Sequence, residues 1–451
     1  MEPLFGLIAA AVAASIAYLV TSERRRAQLR AWRQAAQRAG LTGVEEAEGG
    51  IFEGAFLRGR SGELVVRLEG YRRGKYVHGT KIVITGLGHG AGGLSLRHEG
   101  LSTAIEKRFI GEREIEVGDP SFDAEYYVQG RAPLAVALLD PETRRGVAGL
   151  MRGRVSIPGG PSIDVGPSLS DGVLEVQIKE SGFTGNRERI PQILVAVLEV
   201  ARRLVAPPDV AARIASNLRT EPEAGARLRG LLTLAREFPS HPATREALLA
   251  ALQDASEEVR LRAGMALGED GRGTLLGLVE GTGTEDSCAA RAIAALGESL
   301  PAERAEAALR RALGGAGRPQ TARACLEALA LRGNAEAEGL MLEALRHDEG
   351  PVAVAAARAL GRTGTVAAVP ALREAAETGG DMRRAARQAI AEIQARLTGA
   401  EPGQLTLAGG EAGALSLADE AGEPGRLSLA EEPSHPEELR PGRVTRDPEA
   451  N

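Results

Sequence analysis

Few residues in this chain have the types and spacing that chemistry requires. Cys288 and Cys325 are its two cysteines. Neither belongs to a CxxC pair and no histidine stands at ligand spacing from either, so they read as small apolar core residues rather than as a zinc site or a disulfide. His78, His89 and His98 fall in or beside turns at uneven spacing and read as exposed loop residues, with metal ligation the weaker alternative. The run Gly86-Leu-Gly-His-Gly-Ala-Gly-Gly93 follows a strand-like segment, as a phosphate-cradling loop would. Such a loop needs a helix next, whose N-terminal amides hold the phosphates. The following residues, LSLRHE, alternate like a strand, so the run reads as a hairpin connection. No GxSxG, HExxH or GxxxxGK[ST] pattern occurs. The sequence therefore points away from catalysis and implies no cofactor and no metal.

Composition leads the same way. Hydrophobic residues make up 43% of the 451, which suffices for a core, but aromatics make up only 3%, so that core is built from Ala, Leu, Val and Ile. Small aliphatic side chains suit closely packed helices. The net charge is −6. Residues 398–451 hold eleven acidic and four basic side chains, a balance of −7, which leaves about +1 for the rest. With no broad basic field, nucleic acid is not an expected partner.

The first residues suggest an anchor. Leu4–Val20 (LFGLIAAAVAASIAYLV) carries no charge, and as a helix it rises roughly 25 Å, close to the hydrocarbon thickness of a bilayer. Arg24, Arg25, Arg26, Arg30, Arg33 and Arg38 follow it. Charge after the apolar run predicts a single-pass inner-membrane protein with the bulk of the chain in the cytoplasm. Arg24, Arg25, Arg26, Arg30 and Arg33 are expected to meet anionic headgroups, and Trp32 to lie at the interface. The domain reading is accordingly a transmembrane anchor at 1–22 and a basic juxtamembrane segment at 23–42.

Residues 43–205 read as an α+β domain. Candidate strands are Ile51–Leu57, Glu63–Glu69, Lys81–Thr85, Leu94–His98, Glu114–Val117, Glu125–Val128 and Val173–Ile178, separated by Gly, Pro and Asp. One helix is expected after Asp140, an N-cap followed by Pro at the first helical position, and another over Arg187–Leu204 with a stripe of Ile193, Val197, Val200 and Leu204. Arg72, Arg73 and Lys75 read as a hairpin tip, with lipid headgroups as the alternative contact. The stretch Asp119-Pro-Ser-Phe-Asp-Ala-Glu-Tyr-Tyr-Val128, with an Arg pair in the helix that follows, resembles a D-x-x-Phe-Asp…Val segment of uncharacterised bacterial membrane-associated domains. That resemblance implies a noncatalytic, membrane-proximal module. A lipid-binding or sensory role for this domain is an alternative.

Residues 209–397 repeat. Five ten-residue copies end at 268, 297, 330, 361 and 391, with gaps of 29, 33, 31 and 30, and a weaker copy spans Ala226–Ala235. The period and the helix preceding each copy predict about six helical hairpins that must stack to bury their apolar faces. The first, fifth, eighth and ninth positions share a helical face, which places Ala263, Ala266, Leu267, Ala292, Ala295, Leu296, Ala328, Leu329, Ala356, Ala359, Leu360, Ala386, Ala389 and Ile390 along a continuous seam. Small tenth residues, Gly268, Gly297 and Gly361, are expected to release the chain from the helix. The arrangement resembles the HEAT-repeat family, in particular the short bacterial repeats also found in phycobilin lyases. The resemblance implies an α-solenoid that binds proteins along one surface, and a lyase or chaperone-type enzyme is the alternative it carries.

Residues 398–451 read as a disordered acidic tail with three near-copies: Gly403-Gln-Leu-Thr-Leu-Ala408, Gly413-Ala-Leu-Ser-Leu-Ala418 and Gly425-Arg-Leu-Ser-Leu-Ala430. They read as drift within a duplicated tail or as docking strands, with Thr406, Ser416 and Ser428 as candidate phosphorylation points. The whole predicts a multidomain, membrane-tethered protein–protein scaffold.

Overall fold

The computed structural model describes residues 22–396 except 24, 49–54, 74–75, 89–92, 99–113, 152–164, 171, 180–188, 315–316 and 333–336, together with 405–408 and 414–417. The chain divides into two compact units, Met1–Ala328 and Leu329–Asn451.

The first unit begins with a helix over residues 25–38, here α1. Leu29, Trp32, Ala35 and Ala36 recur at helical spacing and all are buried. The Trp32 indole N–H donates to Thr80 Oγ1 at 3.1 Å, and Gln28 reaches the same hydroxyl at 3.5 Å. The Arg33 guanidinium grips the Glu46 carboxylate, with Nε at 2.7 Å from Oε2. Arg26 pairs with Glu23, and Arg30 donates to the Arg26 carbonyl. These contacts correct the interfacial reading of residues 23–42, because α1 packs on a sheet and its tryptophan faces protein rather than lipid. The apolar segment 4–20 and Arg24 lie outside the described residues. Among the described residues no helix is long and apolar enough to cross a membrane. The fold class is corrected accordingly to an α+β region followed by an all-helical one, and the inner-membrane location and lipid partners are not supported.

Among the described residues the sheet has eight strands: β1 (Thr42–Ala47), β2 (Phe56–Ser61), β3 (Leu64–Arg73), β4 (Tyr76–Thr85), β5 (Ser95–His98), β6 (Tyr126–Gln129), β7 (Val165–Ser170) and β8 (Val173–Lys179). Their order is β1-β2-β3-β4-β8-β7-β5-β6, with every pairing antiparallel. Alternation sorts the faces. Leu64, Val66 and Leu68, Ile82 and Ile84, and Leu174, Val176 and Ile178 point into one core with α1. The opposite face carries Arg67, Glu69, Lys81 and Glu175, with Lys81 Nζ 2.8 Å from Glu175 and Arg67 Nε 2.9 Å from Glu69. β4 and β5 are not neighbours in the sheet, so the glycine run is a crossover between strands. It does not close a hairpin. Gly86 and Gly88 take φ of +94° and +74° there, and the next described element is a strand, not the helix N-terminus that a phosphate site uses. Arg73 pairs in register with Tyr76 at the β3–β4 turn.

Helices α2 (Pro120–Asp123), α3 (Ala132–Leu138), α4 (Pro141–Met151) and α5 (Ile190–Arg203) complete this region. Asp119 caps α2, accepting from the backbone of Ser121 and Phe122, and Asp140 caps α4 through Thr143 N at 2.8 Å. α5 buries Ile193, Val197 and Val200. The predicted strand Glu114–Val117 is irregular backbone. Its Val117 and Gly118 amides donate to Asp123 at 2.9 and 2.8 Å.

Among the described residues six helix pairs follow: α6/α7 (Val210–Leu218, Ala224–Glu237), α8/α9 (Pro242–Ala251, Glu257–Leu267), α10/α11 (Arg272–Glu280, Asp286–Leu296), α12/α13 (Ala302–Leu313, Pro319–Leu331), α14/α15 (Glu338–Leu345, Gly350–Thr363) and α16/α17 (Val369–Glu377, Gly380–Arg396). In the first unit α7 packs on α9 and α9 on α11. In the second, α14 packs on α15 and α16, and α15 and α16 on α17. The boundary between the units falls within α13. In the tail, Leu405–Ala408 pairs antiparallel with Ala414–Leu417, so the first two Leu-Ser/Thr-Leu copies face each other, Leu407 opposite Leu415.

The first pair is locked to the α+β region. α3 packs against α6 and α7, and Ala137, Ala211, Ile214 and Leu234 form a buried cluster. Beside it the Arg144 guanidinium donates to Asp119 Oδ2 at 2.8 Å, to the Leu139 carbonyl at 2.9 Å, and in a fork to Glu221 at 2.8 and 2.9 Å. Arg213 reaches Asp140 at 2.7 Å and Asn217 donates to the Ala137 carbonyl. Backbones meet at Gly118 and Gly225, where a Cβ on either would stand 2.4 Å from the other's carbonyl oxygen. The D-x-x-Phe-Asp segment and the first of the two arginines, Arg144, thus serve as a structural clasp.

Trp32 is the single tryptophan, so its fluorescence reports on α1 directly. The structure predicts blue-shifted emission, resistant to iodide, that does not move when anionic vesicles are added. Red emission that shifts with vesicles would contradict the buried placement.

Candidate interaction surface

The repeat positions do not behave alike in every layer. The fifth-position residues Ala263, Ala292, Ala356 and Ala386 are all buried. At the ninth, Leu296, Leu329 and Leu360 are buried, whereas Leu267 and Ile390 are half-buried. At the eighth, Ala328, Ala359 and Ala389 are buried, but Ala266 and Ala295 are exposed. Gly268 and Gly297 end their helices with φ of +58° and +49°. Gly361 does not: α15 continues to Thr363, and a Cβ there would stand 2.8 Å from Ala389 Cα. This glycine is needed for close helix packing.

The reason for the exposed eighth positions lies in α9. It buries Leu261 and Gly264 as well as Val259 and Ala263, and a Cβ on Gly271 would lie 2.2 Å from the Gly264 carbonyl oxygen. Turning that glycine toward the next helix brings Met265 and Ala266 outward. The result is a stripe one repeat apart in sequence: Leu232 on α7, 39% exposed, Met265 on α9, 44% exposed, and the exposed pair Ala294 and Ala295 on α11. All occupy the seventh or eighth position of their copy, and their helices touch in succession.

A charged border runs beside the stripe, at the fourth position of each copy: Arg229, Arg262 and Arg291. Glu258 accepts from Arg262 Nε at 3.0 Å and from Arg291 Nη1 at 2.6 Å, joining two layers. Arg229 reaches Glu116 at 3.4 Å. Similar ties recur between layers. Arg227 Nε donates to Asp254 at 2.7 Å, Arg245 to Asp270 at 2.7 Å, Arg304 pairs with Glu280, and Asp286 accepts from the Gln320 and Thr321 amides at 2.9 Å. Each tie joins residues 24 to 35 apart, about one repeat. In the second unit Glu338 accepts from Thr365 N at 2.9 Å and Arg396 donates to the Gly364 carbonyl at 2.7 Å.

Among the described residues neither cysteine is an activated thiol. Burial pushes the Cys325 thiol up to about 12. Burial and then the Glu258 charge raise that of Cys288, so neither offers a thiolate near neutrality. Among the described residues no cluster of His, Cys, Asp and Glu could hold a metal. An open groove of about 700 Å³ lies along α10, lined by Gln253, Glu257, Arg260, Asp270 and Thr284. The side chains of His78 and His98, and all of His89, lie outside the described residues.

Residues 307–391 match the family model for HEAT repeats. No curated protein matches the chain. Residues 307–391 are thus similar to HEAT repeats, whose stacked hairpins commonly serve protein interaction.

Burial works against the Asp254 carboxylate, but Arg227 and the Ser256 amide outweigh it and hold its pKa below the ordinary value. For Glu258, burial is likewise outweighed by Arg291 and Arg262. Groups depressed in the folded state stabilise it fully above their unfolded pKa, roughly 4, and lose that contribution as pH falls through the folded value. Asp254→Ala is expected to cost about 1.5–3 kcal/mol at pH 7 by urea denaturation. The gap from wild type should close as pH falls through the folded value. A pH-independent gap would show that the Arg227 pair is not its origin.

Proposed function

We propose that the chain is a protein-interaction scaffold that works by binding rather than catalysis, and that its gripping surface in the first unit is the outward face of α7, α9 and α11. The observation that carries this reading is the stripe of Leu232, Met265 and Ala294–Ala295. Adjacent second helices lie roughly 8–10 Å apart, so three of them offer a ridged apolar track long enough for a few turns of an amphipathic helix. The border of Arg229, Arg262, Arg291 and Glu258 supplies polar contacts that fix orientation while the strip supplies area. The HEAT-repeat match supports the interaction role in general, and the exposure pattern supports this face in particular.

The double variant Leu232→Glu, Met265→Glu tests it. Both residues are solvent-exposed, so stability should change by less than about 1 kcal/mol. Photo-crosslinking from Ala294 in the full chain, replaced by benzoylphenylalanine, should capture a discrete partner, and the double variant should reduce that capture about tenfold or more. Unchanged capture with an intact melting transition would remove this face from consideration.

A further inference from the structure

The second unit presents a different surface. Arg358 and Arg362 on α15, and Arg383, Arg384 and Arg387 on α17, are all exposed on two helices that pack directly together. Arg384 pairs with Asp381, and Arg383 donates to the Ala376 carbonyl. Among the described residues Arg358, Arg362 and Arg387 enter no ion pair. The local balance is strongly positive in a chain whose net charge is −6.

The same unit contains the most acidic part of the chain. Of the three Leu-Ser/Thr-Leu copies, the first two pair with each other, and the third lies outside the described residues. That third copy, Gly425–Ala430, sits in residues 419–438. These hold seven carboxylates, Asp419, Glu420, Glu423, Glu431, Glu432, Glu437 and Glu438, against one arginine, Arg426. The tail is tethered at the end of α17. From Arg387 to Arg396 is roughly 14 Å of helix; the paired strands return the chain to Leu417 opposite Leu405, so the connections 396–405 and 417–419 together, extending to at most roughly 36 Å, are long enough for the segment to reach the arginines.

We propose that residues 419–438 dock on the arginine-rich outer surface of α15 and α17, so that the tail covers this surface until high salt or an acidic competitor displaces it. Tethering supplies an effective concentration in the millimolar range, so a contact too weak to hold two separate molecules is substantially occupied within one. Arginine suits the task because its planar guanidinium engages carboxylates through paired hydrogen bonds. Leu427 and Leu429 would lie against the methylene stems of the arginines.

Phenylglyoxal modification of the full chain, read residue by residue by mass spectrometry, tests this. Arg236, whose side chain is 86% exposed in the first unit, serves as internal reference. In the native chain Arg358, Arg362 and Arg387 should react about threefold more slowly, relative to Arg236, than in the variant Asp419→Asn, Glu420→Gln, Glu431→Gln, Glu432→Gln. That is the protection expected when the effective concentration is about twice the dissociation constant. The variant alters residues outside the helices, so a change cannot be ascribed to unfolding of α15 or α17. The slowing should vanish in about 1 M salt and be the same at low and high protein concentration. Equal rates in the native chain and the variant would overturn the proposal. Protection that grows with protein concentration would overturn it too, by assigning the surface to the tail of a second copy.

Discussion

The guanidinium of Arg144, with a side chain only 5% exposed, is held by three carriers that lie far apart in the sequence: Asp119 before α2, the Leu139 carbonyl after α3, and Glu221 between α6 and α7. A buried cation so fully partnered is strongly constrained, because removing any one partner strands a charge, and breaking such a pair costs about 3–5 kcal/mol. The clasp fixes the first helical hairpin against the α+β region. It also covers the apolar side of α6 and α7 that a stack of hairpins otherwise leaves open at its end. Burial favours the neutral form of Arg144, but Glu221 and Asp119 outweigh it and raise its pKa, so the guanidinium stays charged under all ordinary conditions.

From that fixed first layer, each later one in the first unit is placed by two kinds of contact. Small side chains let helices approach: Ala263 and Ala292 are fully buried, and Gly264 meets Gly271 backbone to backbone. Apolar contact between short alanine-rich faces is poorly directional, however, and tolerates sliding. The arginine–carboxylate ties set the register, since each fork binds a single partner one repeat away. The stripe of Leu232, Met265 and Ala294 is a consequence of that register. A slip of one residue in α9 would turn Met265 into the stack and Arg262 toward the stripe.

The helical period was plain from the sequence because it depends on spacing alone. Several features were not. The strip Arg24–Arg38 carries so many arginines that it reads as a membrane-surface segment. Its meaning lies in the burial of Leu29, Trp32 and Ala36, and the hydroxyl that accepts from Trp32, on Thr80, stands 48 residues away. β7 is not legible in the sequence because Gly166 and Pro167 interrupt it, and the glycine run reads as a hairpin because sheet order is a long-range property. Uniform treatment of the copies hid the exposed Ala266 and Ala295, since the rotation of α9 and α11 depends on neighbours that the ten-residue pattern does not contain. The Asp119–Asp123 motif was visible as a motif, but its role required Glu221, which is 77 residues from Arg144.

Hydrogen exchange followed by mass spectrometry on the full chain carrying Arg144→Ala tests the clasp most directly. If Arg144 locks the first hairpin to the α+β region, protection should fall together in α2, α4, α6 and α7, by a factor on the order of 100 or more, corresponding to a loss of about 3 kcal/mol or more. Faster exchange confined to α4, with α6 and α7 as protected as in the native chain, would contradict the account.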